Sequence, residues 1–122
     1  MSYHVLLEKE MMDVKTGETE FKVVESFNHT SNLCQFFRYF FDGDRGLFEL
    51  NGLSGDEVKL AIDNFYSNLY EGFFSGAYNT KQFEEKYNPE NGWGSIDSAW
   101  SFLEDIRETA IKNPSAVCFV CF

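Results

Sequence analysis

The sequence predicts one α+β domain over residues 1–122, with a small antiparallel sheet packed against three to four helices. An N-terminal hairpin and a C-terminal strand supply the sheet. Three observations predict it. Two stretches near the N-terminus alternate apolar and polar residues on either side of a glycine turn. The central stretches repeat their apolar residues at helical spacing. The chain then closes on an apolar run, Ala116–Phe122, rich in residues that suit a strand.

Taken in order, Tyr3, Val5 and Leu7 alternate with His4, Leu6 and Glu8, a strand over residues 3–9. Lys15-Thr16-Gly17-Glu18 is a turn in which Gly17 takes positive φ at no steric cost. Phe21, Val23 and Val24 form a second strand, so Met11–Val24 is a hairpin or an arm leading to one. Ser26–Ser31 is polar and reads as a break, with Thr30 or Ser31 able to cap the next helix. Leu33, Phe36, Phe37, Phe40 and Phe41 form one apolar stripe, and Asp42–Gly46 ends that helix. Leu47, Phe48 and Leu50 make a short apolar connector.

Ser54 and Glu57 stand in capping-box relation and open a helix with Val58, Ala61, Ile62, Phe65 and Leu69 on one face. Gly72–Gly76 breaks it. Asn79–Tyr87 reads as a short helix and Asn88–Gly92 as a turn. Asn91–Asn113 holds the best-specified helix. Ser95 is its N-cap, Asp97 complements the positive end of its dipole, and Arg107 and Lys112 lie toward the negative end. Ile96, Ala99, Trp100, Leu103, Ile106 and Ala110 form its inner stripe; Asp97, Glu104, Asp105 and Glu108 form its outer face. Pro114 stops it. The closing run is unalternating, which suits a strand covered on both faces or one whose second face is a partner interface.

Twenty acidic residues against ten basic ones give a formal net charge of -10. Solvation is the plain reading of such an excess. It also bears on partners: so negative a surface is repelled by nucleic acid and by anionic membranes, and is steered toward a basic groove. The N-terminus has no basic segment followed by an apolar one, and no apolar run reaches membrane-spanning length, so an intracellular, cytoplasmic protein is expected. Three cysteines fit a reducing compartment better than a disulfide framework.

Few residues offer chemistry. Cys118 and Cys121 have the spacing of half a zinc site, and Cys34 with His4 or His29 would complete it. Residues three apart in a regular strand face opposite sides, which argues for core thiols instead. Asp42, Asp44 and Glu49 lack the remaining ligands of a calcium loop. No phosphate-binding or dinucleotide motif is present. Trp93, between two glycines, is either a buried plug or an exposed anchor. The acidic pairs Asp56/Glu57 and Glu84/Glu85, with Glu104, Asp105 and Glu108, are solvated faces unless the fold gathers them into a row that imitates phosphates.

The stretches DVKTGETEF, GLFELNGLSGDEV, NGWGSIDSAWSFLEDI and KNPSAV, in this order, resemble a group of small acidic proteins encoded by phages and prophages. The ending CFVCF departs from the acidic, tryptophan-containing tail of that group. The resemblance carries no catalytic motif. It implies a mobile-element setting in a bacterial host, where small acidic inhibitors of defence nucleases, anti-CRISPR proteins among them, recur. The expectation is therefore a non-enzymatic binding protein that blocks a basic host protein such as a CRISPR effector nuclease. Asp56, Glu57, Glu84, Glu85, Trp93, Glu104, Asp105 and Glu108 are its candidate contacts. The alternative is a small interaction domain stabilised by zinc on Cys34, Cys118 and Cys121.

Overall fold

The computed structural model describes residues 2–30, 34–74 and 96–122. Strand β1 (Ser2–Met12) is central in a three-stranded antiparallel sheet of order β2-β1-β3, between β2 (Thr19–Thr30) and β3 (Val117–Cys121). Helices α1 (Cys34–Phe40), α2 (Gly55–Phe74) and α3 (Ile96–Lys112) supply the other layer, with a 3-10 turn at Gly46–Leu50. This is the α+β architecture that the sequence predicts.

The alternation of β1 sets the layers. Tyr3, Val5 and Leu7 are buried, while His4 between them is exposed and Leu6 half-buried. Register carries that alternation to both neighbours: Val5 faces Phe27 on β2 and Val120 on β3. Beneath it lies an aromatic core in which Phe36, Phe37 and Phe40 of α1 meet Phe65 of α2. Phe41 and Phe65 have ring centroids 4.6 Å apart, within the range where aromatic pairs add to simple burial. Ala99, Phe102, Leu103, Ile106 and Ala110 bring α3 onto the same core.

Local signals place the helix ends. The Ser54 amide donates to Glu57 Oε1 at 3.2 Å, and the Glu57 amide donates to Ser54 Oγ at 3.3 Å. That reciprocal pair is the expected capping box, and it starts α2. Asn68 of α2 donates to the Phe40 carbonyl at 2.7 Å, at the end of α1 where helix geometry leaves carbonyls without an intrahelical donor. Asp63 accepts from Lys59 and from Arg107, both at 2.7 Å, and so ties α2 to α3.

Several expectations change. β2 runs on through Ser26–Thr30, within the Ser26–Ser31 stretch where a polar break was expected, because Phe27 points inward while Ser26 and Asn28 face out. The connector at Leu47–Leu50 is a 3-10 turn. α2 passes through Gly72 and is described to Phe74; the rest of the break expected at Gly72–Gly76 lies outside the described residues. β3 is not covered on both faces: Cys118 and Val120 are buried, whereas Phe119 and Cys121 are exposed. Its outer edge is occupied, since Gly52 donates to the Cys118 carbonyl at 2.7 Å and Cys118 to that of Leu53 at 2.8 Å. The Val120 amide donates to Asn51 Oδ1 at 2.9 Å. The expected caps at Ser31 and Ser95, the helix at Asn79–Tyr87 and the turn at Asn88–Gly92 lie outside the described residues.

Candidate functional site

The continuation of β2 past Val24 creates a concave surface. Its Glu25–His29 stretch runs beside α3, and a groove opens between them. Glu25, Ser26 and Phe27 line one wall; Asp105, Glu108 and Thr109 line the other. The groove continues through Asp105 to His29, Ser98, Ser101 and Phe102. Phe102 is buried and Phe27 half-buried, so apolar material floors the groove while its rim stays polar.

The helical period explains the acidic rim. With Leu103, Ile106 and Ala110 buried, Asp105 and Glu108 emerge together on the exposed side, three residues apart. Glu25 comes from the strand. Among the described residues, no lysine or arginine pairs with any of these three carboxylates. Two acids at this helical spacing cost about 0.2–0.5 kcal/mol, small enough for an exposed site to hold them.

One end of the groove is pinned. His29 Nε2 lies 2.9 Å from Ser98 Oγ, and the imidazole packs against Phe102 with centroids 5.1 Å apart. The contact fastens β2 to the first turn of α3. A serine and a histidine at this distance do not alone specify a reaction, which also needs an oriented base and a place for developing charge.

The residues expected to contact a partner divide. Asp105 and Glu108 reach the groove. Asp56 is exposed in the first turn of α2, away from it. Glu57 is occupied by the capping box. Glu104 corrects the expected outer face: it is half-buried and turns toward Tyr66 of α2. Burial, and then the neighbouring Glu104 carboxylate, push the Tyr66 phenol above its ordinary range, yet that hydroxyl forms no hydrogen bond of good geometry. Tyr66 instead stacks on Trp100 at 4.4 Å. Glu84, Glu85 and Trp93 lie outside the described residues. Sequence reasoning missed Glu25 and the His29–Ser98 contact because it ended the strand at Val24. The lone signal was Phe27, an inward residue between polar neighbours.

The cysteines do not gather. Cys118 is buried and Cys121 exposed on the opposite face of β3, while Cys34 is half-buried in α1. Among the described residues, no three His, Cys, Asp or Glu side chains are placed to hold a metal. Burial pushes the Cys118 thiol up to about 12. A second cleft, beside α1, brings together Arg38, Arg45 and Phe48. There Glu49 holds Arg45 at 3.2 Å and Asp44 lies alongside, so its charges largely balance.

No described helix is long and apolar enough to cross a membrane. Comparison with known proteins finds no matching family model, no similar curated protein and no similar solved structure.

Proposed function

We propose that this chain is a non-enzymatic acidic binding protein that blocks a nucleic-acid-handling protein by occupying its basic site. The convergence of Glu25, Asp105 and Glu108, from two separate elements, on one groove with no cation bonded to them among the described residues carries the reading. Unpaired carboxylates above a partly apolar floor suit a basic segment, with charge steering the encounter and Phe27 and Phe102 offering contact area. The same field disfavours nucleic acid and anionic lipid. The phage-like layout of the sequence makes a CRISPR effector nuclease in a bacterial cytoplasm the type of target to try first.

The test is capture of a purified basic effector at low and high salt, followed by competition with its nucleic acid. Binding falls steeply with salt, because the attraction is between exposed charges. E25Q/D105N/E108Q, a variant altered only at surface positions, binds at least about tenfold more weakly, a loss of roughly 1.4 kcal/mol. Binding indifferent to salt and to this triple change, or an effector that still loads nucleic acid, refutes the proposal.

A further inference from the structure

The hairpin outruns the domain that anchors it. β3 pairs with β1 only over His4–Glu8. Beyond that point β1 and β2 continue as a two-stranded arm, paired from Glu8/Val23 to Met12/Thr19. Every residue from Lys9 to Ser26 is exposed. Among the described residues no third strand and no core lies against this arm, and a two-stranded ribbon alone is marginal in water. Yet the arm bares Met11, Met12, Val14, Val23 and Phe21, the last with 57% of its surface exposed.

The two sheet edges are treated differently. Asn51–Ser54 covers the outer edge of β3. Along Thr19–Val24 the outer edge of β2 has no strand partner among the described residues. It has no proline, and its bulge lies at the base of the arm opposite Leu7/Glu8. A long free edge with exposed apolar side chains is a template for another strand.

The residues of β2 select which strand. Joined to itself in antiparallel fashion about a two-fold axis perpendicular to the sheet, β2 keeps its faces, so residues of like parity oppose each other. Centred on Phe21, ring meets ring, Thr19 meets Val23, and Glu20 meets Lys22 on both sides of the axis. Centred on Glu20 or on Lys22, the central pair is of like charge and unfavourable. Centred on Val23, Phe21 would oppose Glu25 and the pairing would run into the stretch beside α3. The register on Phe21 also relieves a fault within the arm, where Lys22 faces Lys9 and neither has an ion pair among the described residues.

We propose that the Thr19–Val24 edge of β2 is a docking surface for a second copy of this chain, paired antiparallel with Phe21 on the two-fold axis. The two sheets become one continuous sheet. Thr19, Phe21 and Val23 gather on one face, and the Glu20–Lys22 pairs lie on the other. The proposal stands apart from the acidic groove and does not depend on its occupant.

Sedimentation of the full chain over roughly a hundredfold range of concentration tests it, since self-association follows mass action. The mass rises from 14.1 kDa toward twice that value. E20K and K22E each place like charges on both sides of the axis and weaken the dimer by roughly tenfold or more. The double variant E20K/K22E restores it. An equimolar mixture of the two single variants also dimerises, because each then supplies the charge that the other needs. Both positions are exposed, and unchanged circular dichroism verifies that the variants fold. A wild-type chain that stays monomeric throughout overturns the proposal and gives the arm to a different protein. A dimer indifferent to both single reversals, or mixed variants that fail to associate, overturns it too.

Discussion

Gly55 sets two ordinary rules against each other. It is the first residue of α2, where replacing glycine by alanine normally stabilises by up to about 1 kcal/mol. Packing opposes this. A methyl group on Gly55 would overlap the Asn113 carbonyl and would lie 2.7 Å from that of Ala110 and 2.9 Å from Pro114 Cα. All three are backbone atoms at the end of α3, with no side-chain rotamer to yield. Separating the helices would also stretch the bond from the Gly55 amide to the Ala116 carbonyl, now 2.8 Å, on the way into β3. Overpacking of this kind costs about 1–3 kcal/mol, and one weakened backbone bond about 1 kcal/mol more. Against a propensity gain of at most about 1 kcal/mol, Gly55→Ala should destabilise by about 2 kcal/mol, a fall of about 8 °C in Tm for a domain of this size. Thermal denaturation followed by circular dichroism reads it, with exposed Ser67→Ala as a control expected to shift little. An unchanged or higher Tm for the Gly55 variant would sink the argument that backbone contact there outweighs propensity.

Asp63→Asn should cost about 1 kcal/mol at neutral pH, the partial exposure of the ion pairs limiting their worth. Burial pushes the Asp63 carboxyl up, but hydrogen bonds and charge from Lys59 and Arg107 outweigh it and hold the group below its ordinary value. A carboxyl depressed in the folded state contributes stability above its unfolded pKa, and loses that contribution as pH falls through the folded one. The gap between wild type and variant in urea midpoints should therefore close below about pH 4, and a gap that persists in acid would contradict the assignment. Native alkylation with iodoacetamide, read by mass spectrometry, should modify exposed Cys121 and spare Cys118, whose thiol burial holds up at about 12. Adding a chelator should leave the Cys121 rate unchanged. Faster labelling on chelation would favour a zinc site that includes Cys121.

What the sequence discloses depends on how local the cause is. The Ser54/Glu57 box spans four residues, and its partners are fixed by helix geometry, so it is readable before any fold is known. The Phe36–Phe41 stripe and the Tyr3–Leu7 alternation are likewise properties of a few neighbouring residues. The separation of Cys118 from Cys121 follows from strand period alone. The second half of β2 is different. Its inward Phe27 becomes a strand residue because it faces Val5, far away in sequence. Glu104 belongs to the acidic face by spacing, but Tyr66 of α2 draws it inward, a contact that only helix packing creates. The acidic groove needs the first of these non-local events. Its helical half was therefore legible in advance, and Glu25 was not.

The arrangement of charge also says more than its total. Among the described residues, the ion pairs stitch structure together: Lys59 and Arg107 on Asp63 where α2 meets α3, and Arg45 on Glu49 where the chain leaves α1. A cation used in this way does little at the β2–α3 groove unless it lies within the screening distance, about 8 Å at physiological salt. Among the described residues, Glu25, Asp105 and Glu108 have no such cation bonded to them, so their fields add along the groove. The net charge of -10 sets the sign of long-range steering. On the proposed function, selectivity for a basic segment rests by contrast on these three positions. Removing acidic residues elsewhere, such as Glu18 in the arm, should alter the encounter rate and its salt dependence while leaving the dissociation rate nearly untouched, whereas neutralising the groove should raise dissociation.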